Sequence, residues 1–235
     1  MSSEHSNSEL IDLDEIFGLT EKHLSQIEGT DLKIHTNSQQ AFANMQAAAA
    51  VDGIDIRAAS AYRSFERQLA IWNAKASGQR DCLDDRANCI DLTQLTDLDA
   101  VKAIMRFSAL PGASRHHWGT DLDIYDAAAV AEGYNLKLVA SEYESGGPFH
   151  KLNLWLELRS REFGFSRPYA TDQGGIAPEA WHISHIEQAN SFSSTFSSTY
   201  NPDALSGYLR GIDLLLKDAV LNNLQYLFER YIQIT

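Results

Sequence analysis

SRHHWGTDLDIYD, residues 114–126, sets two adjacent histidines, a glycine and three aspartates beside an apolar alternation. Leu122 and Ile124 flank Asp123 along the chain but share one face of the strand that Thr120 to Tyr125 is expected to form. His116 and Asp123 stand seven residues apart, and Gly119 between them lets the backbone turn tightly. A turn followed by a strand can return such a pair to one point. An imidazole and a carboxylate make two zinc ligands, and a hydrolytic site needs a third protein ligand with one position left open.

Working outward, the histidines that could supply the third ligand are His117, His150, His182 and His185. His5 and His23 lie in the polar amino-terminal region, and His35 precedes the first helix cap. His182 stands out because it sits in PEAWHISH, residues 178–185, three positions after Glu179. Zinc hydrolases need that pairing, since the metal acidifies a water and a nearby carboxylate moves the proton to the leaving amine. His185 has the opposite parity in the expected strand Trp181 to Ile186 and so faces away. His117 is read as lying beside the site or on its rim, and Asp121 and Asp126 as solvated strand-end carboxylates. Trp72, Trp118, Trp155 and Trp181 are read as core or groove wall. No HExxH, GxSxG, P-loop or GxGxxG occurs, so the chemistries those motifs carry have no support.

The rest of the chain fits an α+β fold, a small antiparallel sheet flanked by helices. Ser38 is expected to cap a helix through QQAFANMQAAAAV, ended by Asp52 and Gly53. IDIRAASAY, residues 54–62, alternates as a strand, and the helix after it closes at Gly78. A helix from Asp97 stops before Pro111 and Gly112, and another runs over 150–165. SFSSTFSST, residues 191–199, reads as loop, and Asn201 with Pro202 opens a Leu-rich helical tail. The expected organisation is a polar segment 1–35, a peptidase domain 36–190, a linker 191–200 and a helical extension 201–235 packed on the domain. A homodimer contact through the carboxyl-terminal helices is the sharper reading of that extension.

With 235 residues the chain can bury an ordinary core without disulfides. Its formal net charge of −13, from 32 acidic and 19 basic residues, sets nucleic acid and anionic membrane surfaces aside. The amino terminus has no secretory pattern and no stretch resembles a membrane span, so a cytoplasmic protein is expected. Cys82 and Cys89 bracket an acidic loop at a spacing that fits neither a zinc knuckle nor a redox pair. Two loop thiols are expected; a local disulfide between them would point instead to the periplasm.

Ser114, His116, Gly119 and Asp123, then Glu179, Trp181 and His182, with Tyr62-Arg63-Ser64 upstream, resemble the zinc D-alanyl-D-alanine carboxypeptidase family. That family includes vancomycin-resistance dipeptidases and shares its fold with lysostaphin-type peptidases and the hedgehog amino-terminal domain. The resemblance spans about residues 36–190. It implies one zinc per chain held by His116, Asp123 and His182, with Glu179 as catalytic base. Arg63 would bind the substrate's terminal carboxylate or steady the oxyanion. Ser114, Tyr62 and Trp181 would line the substrate site. Position 180 is Ala where many members have proline, and position 121 is Asp where many have a small apolar residue. The implied activity is removal of the terminal D-alanine from peptidoglycan stem peptides or fragments. Cutting an L,D or D,D link inside the cell wall, or non-catalytic zinc and peptide binding, are the alternatives, and retention of Glu179 argues against the last.

Overall fold

The computed structural model describes residues 11–199 and 201–232. In chain order its elements are α1 (Leu13–Phe17), β1 (Leu24–Gln26), β2 (Lys33–His35), α2 (Gln39–Val51), β3 (Ile56–Ser60), α3 (Phe65–Ala76), α4 (Asp97–Met105) and β4 (Asp121–Asp126). They continue with α5 (Ala140–Tyr143), α6 (His150–Arg159), β5 (Phe165–Ser166), β6 (His182–His185), α7 (Ile186–Thr199), α8 (Pro202–Arg210), α9 (Lys217–Asn222) and α10 (Leu224–Leu227). β1 and β2 form a hairpin, and a second sheet runs β3-β4-β6-β5 with every neighbouring pair antiparallel. This is the α+β architecture that the sequence predicts.

The two faces of β4 divide the molecule. Leu122 and Ile124 point into a core shared with Ile183 of β6, Phe42 and Met45 of α2, and Leu152 and Leu156 of α6. Asp121 and Asp123 point the other way. β6 pairs in the register that sets Ser184 opposite Asp121 and His182 opposite Asp123, so four polar side chains meet on one sheet face. The β3–β4 ladder shifts between Ala58 and Ser60, which brings Ser60 opposite Asp123.

A second core holds Ile16 and Phe17 of α1, Trp72 of α3, and Val101 and Ile104 of α4. It also holds Phe192 and Phe196 of α7, Leu205 and Leu209 of α8, and Leu227 of α10. The tail is stitched to α3 by polar contacts as well: Trp72 Nε1 donates to the Leu215 carbonyl at 3.0 Å and Asn73 Nδ2 to the Asp213 carbonyl at 2.7 Å. Most apolar side chains of the tail are thus packed within this chain, while Tyr208, Leu215 and Tyr226 stay exposed. Among the described residues no helix is long and apolar enough to cross a membrane.

Several elements differ from the sequence reading. SFSSTFSST belongs to α7 and not to a loop, because Ala189, Phe192 and Phe196 fall at helical spacing and are buried together. Within residues 1–35, α1 and the β1–β2 hairpin are formed, and His35 is buried. The Ser38 side chain makes no cap; the chain enters α2 through a single 3-10 turn, Thr36–Ser38. α6 stops at Arg159 and a 3-10 turn carries the chain to Gly164, whose φ of +78° ends it. Asn201 caps α8 as expected, its side chain accepting from the Ala204 N–H at 2.9 Å. Cys82 is buried and Cys89 exposed, both as free thiols.

Gly119 holds the turn that delivers β4. It closes the 3-10 turn Arg115–Trp118 at φ +71°, and its carbonyl accepts from the His35 N–H at 2.8 Å. A Cβ there would press on the Leu24 side chain and lie 2.9 Å from the His35 backbone nitrogen. Gly119→Ala is therefore expected to lower unfolding free energy by at least about 2 kcal/mol, from backbone strain with the clash added, as read by urea titration.

Candidate metal and catalytic site

His116 comes from the turn before β4, Asp123 from the middle of β4 and His182 from the start of β6. All three are buried, and one donor atom from each lies within 4.8 Å of the others. Backbone and side-chain partners decide which atoms face inward. The Ala61 carbonyl can only accept, so His116 Nδ1 carries the hydrogen and donates to it at 2.8 Å, leaving the Nε2 lone pair for the site. His182 Nε2 donates to Asp121 Oδ2 at 2.8 Å, which turns Nδ1 toward Asp123 Oδ1 at 3.1 Å and Glu179 Oε2 at 3.5 Å.

Asp121 is not the solvated carboxylate that its place near a strand end suggests. It is fully buried and accepts from His182, from Arg115 Nε at 2.7 Å, from Thr120 Oγ1 at 2.7 Å and from Ser184 Oγ at 2.6 Å. Burial opposes its charge, but Arg115 and His182 outweigh burial and hold the carboxyl well below the usual range. Asp126 is buried too, accepting from the Asp55 and Ala128 N–H groups at 2.9 and 3.0 Å, where it ties off the end of β4.

Cations already face the donor set. Arg63 Nη2 donates to Asp123 Oδ2 at 2.8 Å and to His116 Nε2 at 3.0 Å, while its Nε donates to Ser60 Oγ at 3.1 Å. Burial works against a charged His182, yet its hydrogen bonds to Asp121 and Asp123 prevail and raise it to about 9. Burial, then Arg63, lowers His116, which stays a neutral acceptor. The cluster therefore attracts positive charge and offers two oriented imidazoles and one carboxylate, a donor set that fits a tetrahedral zinc with one position open.

Glu179 completes the group. It is nearly buried, its N–H donates to the Tyr169 carbonyl at 2.9 Å, and burial pushes its carboxyl up to about 7. Arg63, His116, Asp123, Glu179 and His182 all line one cleft of about 1460 Å³.

The other expected site residues separate into two groups. Ser114 and Trp181 line the cleft, Trp181 with most of its ring in the core against Tyr143. Tyr62 lines the cleft as well, but its hydroxyl donates to the Gly18 and Thr20 carbonyls, at 3.1 and 3.3 Å, and braces the amino-terminal segment. His117 is no rim residue. It is fully buried, Nε2 accepting from the Gly112 N–H at 3.0 Å and Nδ1 donating to the Arg63 carbonyl at 2.6 Å, so it fixes the backbone of Arg63. Burial pushes it down to about 3 and keeps it neutral. His185 packs its ring on Phe165, away from the cluster.

A small antiparallel sheet that gathers two imidazoles, a carboxylate and a buried glutamate at the floor of a cleft defines a class of α+β proteins built around a metal-ready cluster. Residues 31–188 match the family model of VanY, D-alanyl-D-alanine carboxypeptidase, and the chain belongs to that family. An uncharacterized protein of Haemophilus influenzae is 35% identical over 125 residues, 52% of this chain and 92% of that one. A D-alanyl-D-alanine carboxypeptidase of Enterococcus faecalis is 27% identical over 168 residues, 70% of this chain and 51% of that protein, so the match spans about half of the latter's length. Among solved structures, VanYB in complex with D-alanine-D-alanine gives a TM-score of 0.51 at 22% identity, over 81% of this chain and 89% of that one. A mutant of the vancomycin-resistance D,D-pentapeptidase VanY in complex with Zn(II) gives 0.51 at 22%, over 84% and 88%. The LdcB LD-carboxypeptidase gives 0.50 at 19%, over 89% and 78%. At these identities the likeness is one of fold.

Two outcomes follow from the donor geometry. Asp121→Asn should weaken zinc affinity by about 10- to 100-fold, because the amide can present its NH2 to Nε2 and favour the wrong tautomer. Competition with a chromophoric chelator measures it. Metal must also displace the proton that His182 holds up to about pH 9. Zinc affinity should accordingly climb by up to about tenfold per pH unit between pH 7 and 9 and level off above, once the chelator's own protonation is subtracted.

Proposed function

We propose that this chain is a zinc-dependent D-alanyl-D-alanine carboxypeptidase that removes the terminal D-alanine of peptidoglycan stem peptides or their fragments. The observation that carries the reading is the meeting of His116, Asp123 and His182 with Glu179 on the floor of one cleft. The match to the D-alanyl-D-alanine carboxypeptidase family supports the same reading. His116 Nε2, Asp123 and His182 Nδ1 would hold one zinc. When bound, zinc supplies Lewis-acid chemistry that acidifies water and polarises the scissile carbonyl.

The remaining work falls to the chain's own groups. Glu179 takes a proton from the attacking water as its oxygen bonds to the carbonyl carbon, then returns that proton to the leaving nitrogen as the C–N bond breaks. Burial, which pushes Glu179 up to about 7, suits a group that must both accept and release a proton near neutrality. Arg63, which reaches Asp123 and His116 from the edge of the cluster, would offer its guanidinium fork to the substrate's developing oxyanion. His117 holds the Arg63 backbone in place. Ser114 and Trp181 form part of the wall against which the peptide lies. Every residue named comes from one chain.

The test is incubation of zinc-loaded protein with tri-, tetra- and pentapeptide stems, read by mass spectrometry. Loss of one D-alanine from the pentapeptide is the expected product, and internal cleavage would favour an endopeptidase. Glu179→Gln should keep fold and zinc while turnover falls by about 10²- to 10⁴-fold. Turnover within about threefold of wild type would place the base elsewhere.

A further inference from the structure

α3 presents Arg67, Ile71 and Lys75 to the cleft, one turn apart each, just after Arg63. Arg67 is exposed, but Lys75 is only 8% exposed. Among the described residues its side chain has no hydrogen bond and no ion pair, so the ammonium at the end of a nearly buried stem reaches the cleft without a protein partner. Burial of the stem lowers its pKa. The other partly buried cations of the cleft are engaged. Arg63 is spent on Asp123, His116 and Ser60, Arg115 on Asp121 and Ser184, and Arg106 on Asp85 and Asp172. Lys75 lines the same cleft as Glu179 and Arg63, whose charges act on its ammonium after those of Cys82 and Arg80.

In a carboxypeptidase substrate the free carboxylate sits on the carbon next to the leaving nitrogen. The group that reads it must lie beside the base that protonates that nitrogen. We infer that Lys75 is the cation that receives the terminal α-carboxylate of the peptide, which leaves Arg63 to the reacting carbonyl. The inference rests on the carboxypeptidase reading above and names the determinant of its end specificity. An acid ligand gives the ammonium its missing partner, whereas an amide or an internal peptide bond leaves it unpaired.

Calorimetry with zinc-loaded Glu179→Gln protein, which does not turn over, tests this with N-acetyl-D-Ala-D-Ala and its carboxyl-terminal amide. The acid should bind about 10- to 100-fold tighter than the amide, the range of one charge-assisted hydrogen bond. Adding Lys75→Met, which preserves length and helix propensity, should bring the two affinities within about threefold by weakening the acid alone. Lys75→Arg should restore most of the preference, and thermal unfolding shows that each variant is folded. The inference is overturned if Lys75→Met keeps the preference, if Arg63→Ala abolishes it while Lys75→Met does not, or if the parent binds the acid no better than the amide. Failure of the hydrolytic reading has a different signature, namely a wild type that prefers the acid and yet releases no D-alanine.

Discussion

The hydrogen bond from His182 Nε2 to the buried carboxylate of Asp121 is the contact on which the site depends. It joins the two central strands on their polar face and fixes which imidazole nitrogen looks inward. It also commits the molecule to a set of further partners, because a buried carboxylate must be neutralised and saturated. Arg115 supplies the charge, Thr120 and Ser184 supply hydroxyls, and Arg115 stacks on Trp118, 4.9 Å from its ring. The turn that carries His116 is thereby tied to the strand that carries His182 by side chains as well as by the ladder. Removing any one of these groups leaves others buried and unpaired, so the donor geometry is held by the whole set.

Chemistry made part of this plan legible in the sequence. A metal site restricts residue types so strongly that His116, Asp123 and His182 could be singled out, with Glu179 marked by its distance from His182. Period-two apolar spacing gave the sheet faces. Asp121 escaped because a carboxylate near a strand end ordinarily meets water, and its partner Ser184 lies 63 positions away. The place of His117 beside the site was legible but its task was not, since its acceptor is the Arg63 carbonyl, 54 positions upstream. SFSSTFSST misled through composition. In α7 Ser191, Ser194 and Thr195 return their hydroxyls to carbonyls four residues back, which satisfies them without breaking the helix, while the two phenylalanines pay for order by burial.

The cleft that holds the cluster carries both signs of charge in a chain of net −13: Arg63, Arg67, Lys75 and Arg115 line it together with Asp81, Asp84, Asp85 and Glu144. Net charge decides long-range encounters with polyanions, but a small acid that enters the cleft meets the local field of these cations. An acidic protein whose cleft also carries cations can decline large anionic surfaces and still accept a short carboxylate-ended peptide.

The union of both chain regions in the second core has a temporal meaning. Trp72 and Asn73, on the helix that forms one wall of the cleft, take partners more than 130 residues later, around Asp213 and Leu215. A nascent chain leaves the ribosome from its amino end, so the sheet and its three donors emerge well before the residues that clamp α3 beside them. Closure of long loops is slow to reward, and the late helices add the contacts of greatest sequence separation. The placement of the α3 wall beside the donors thus depends on partners that are among the last described residues to be made.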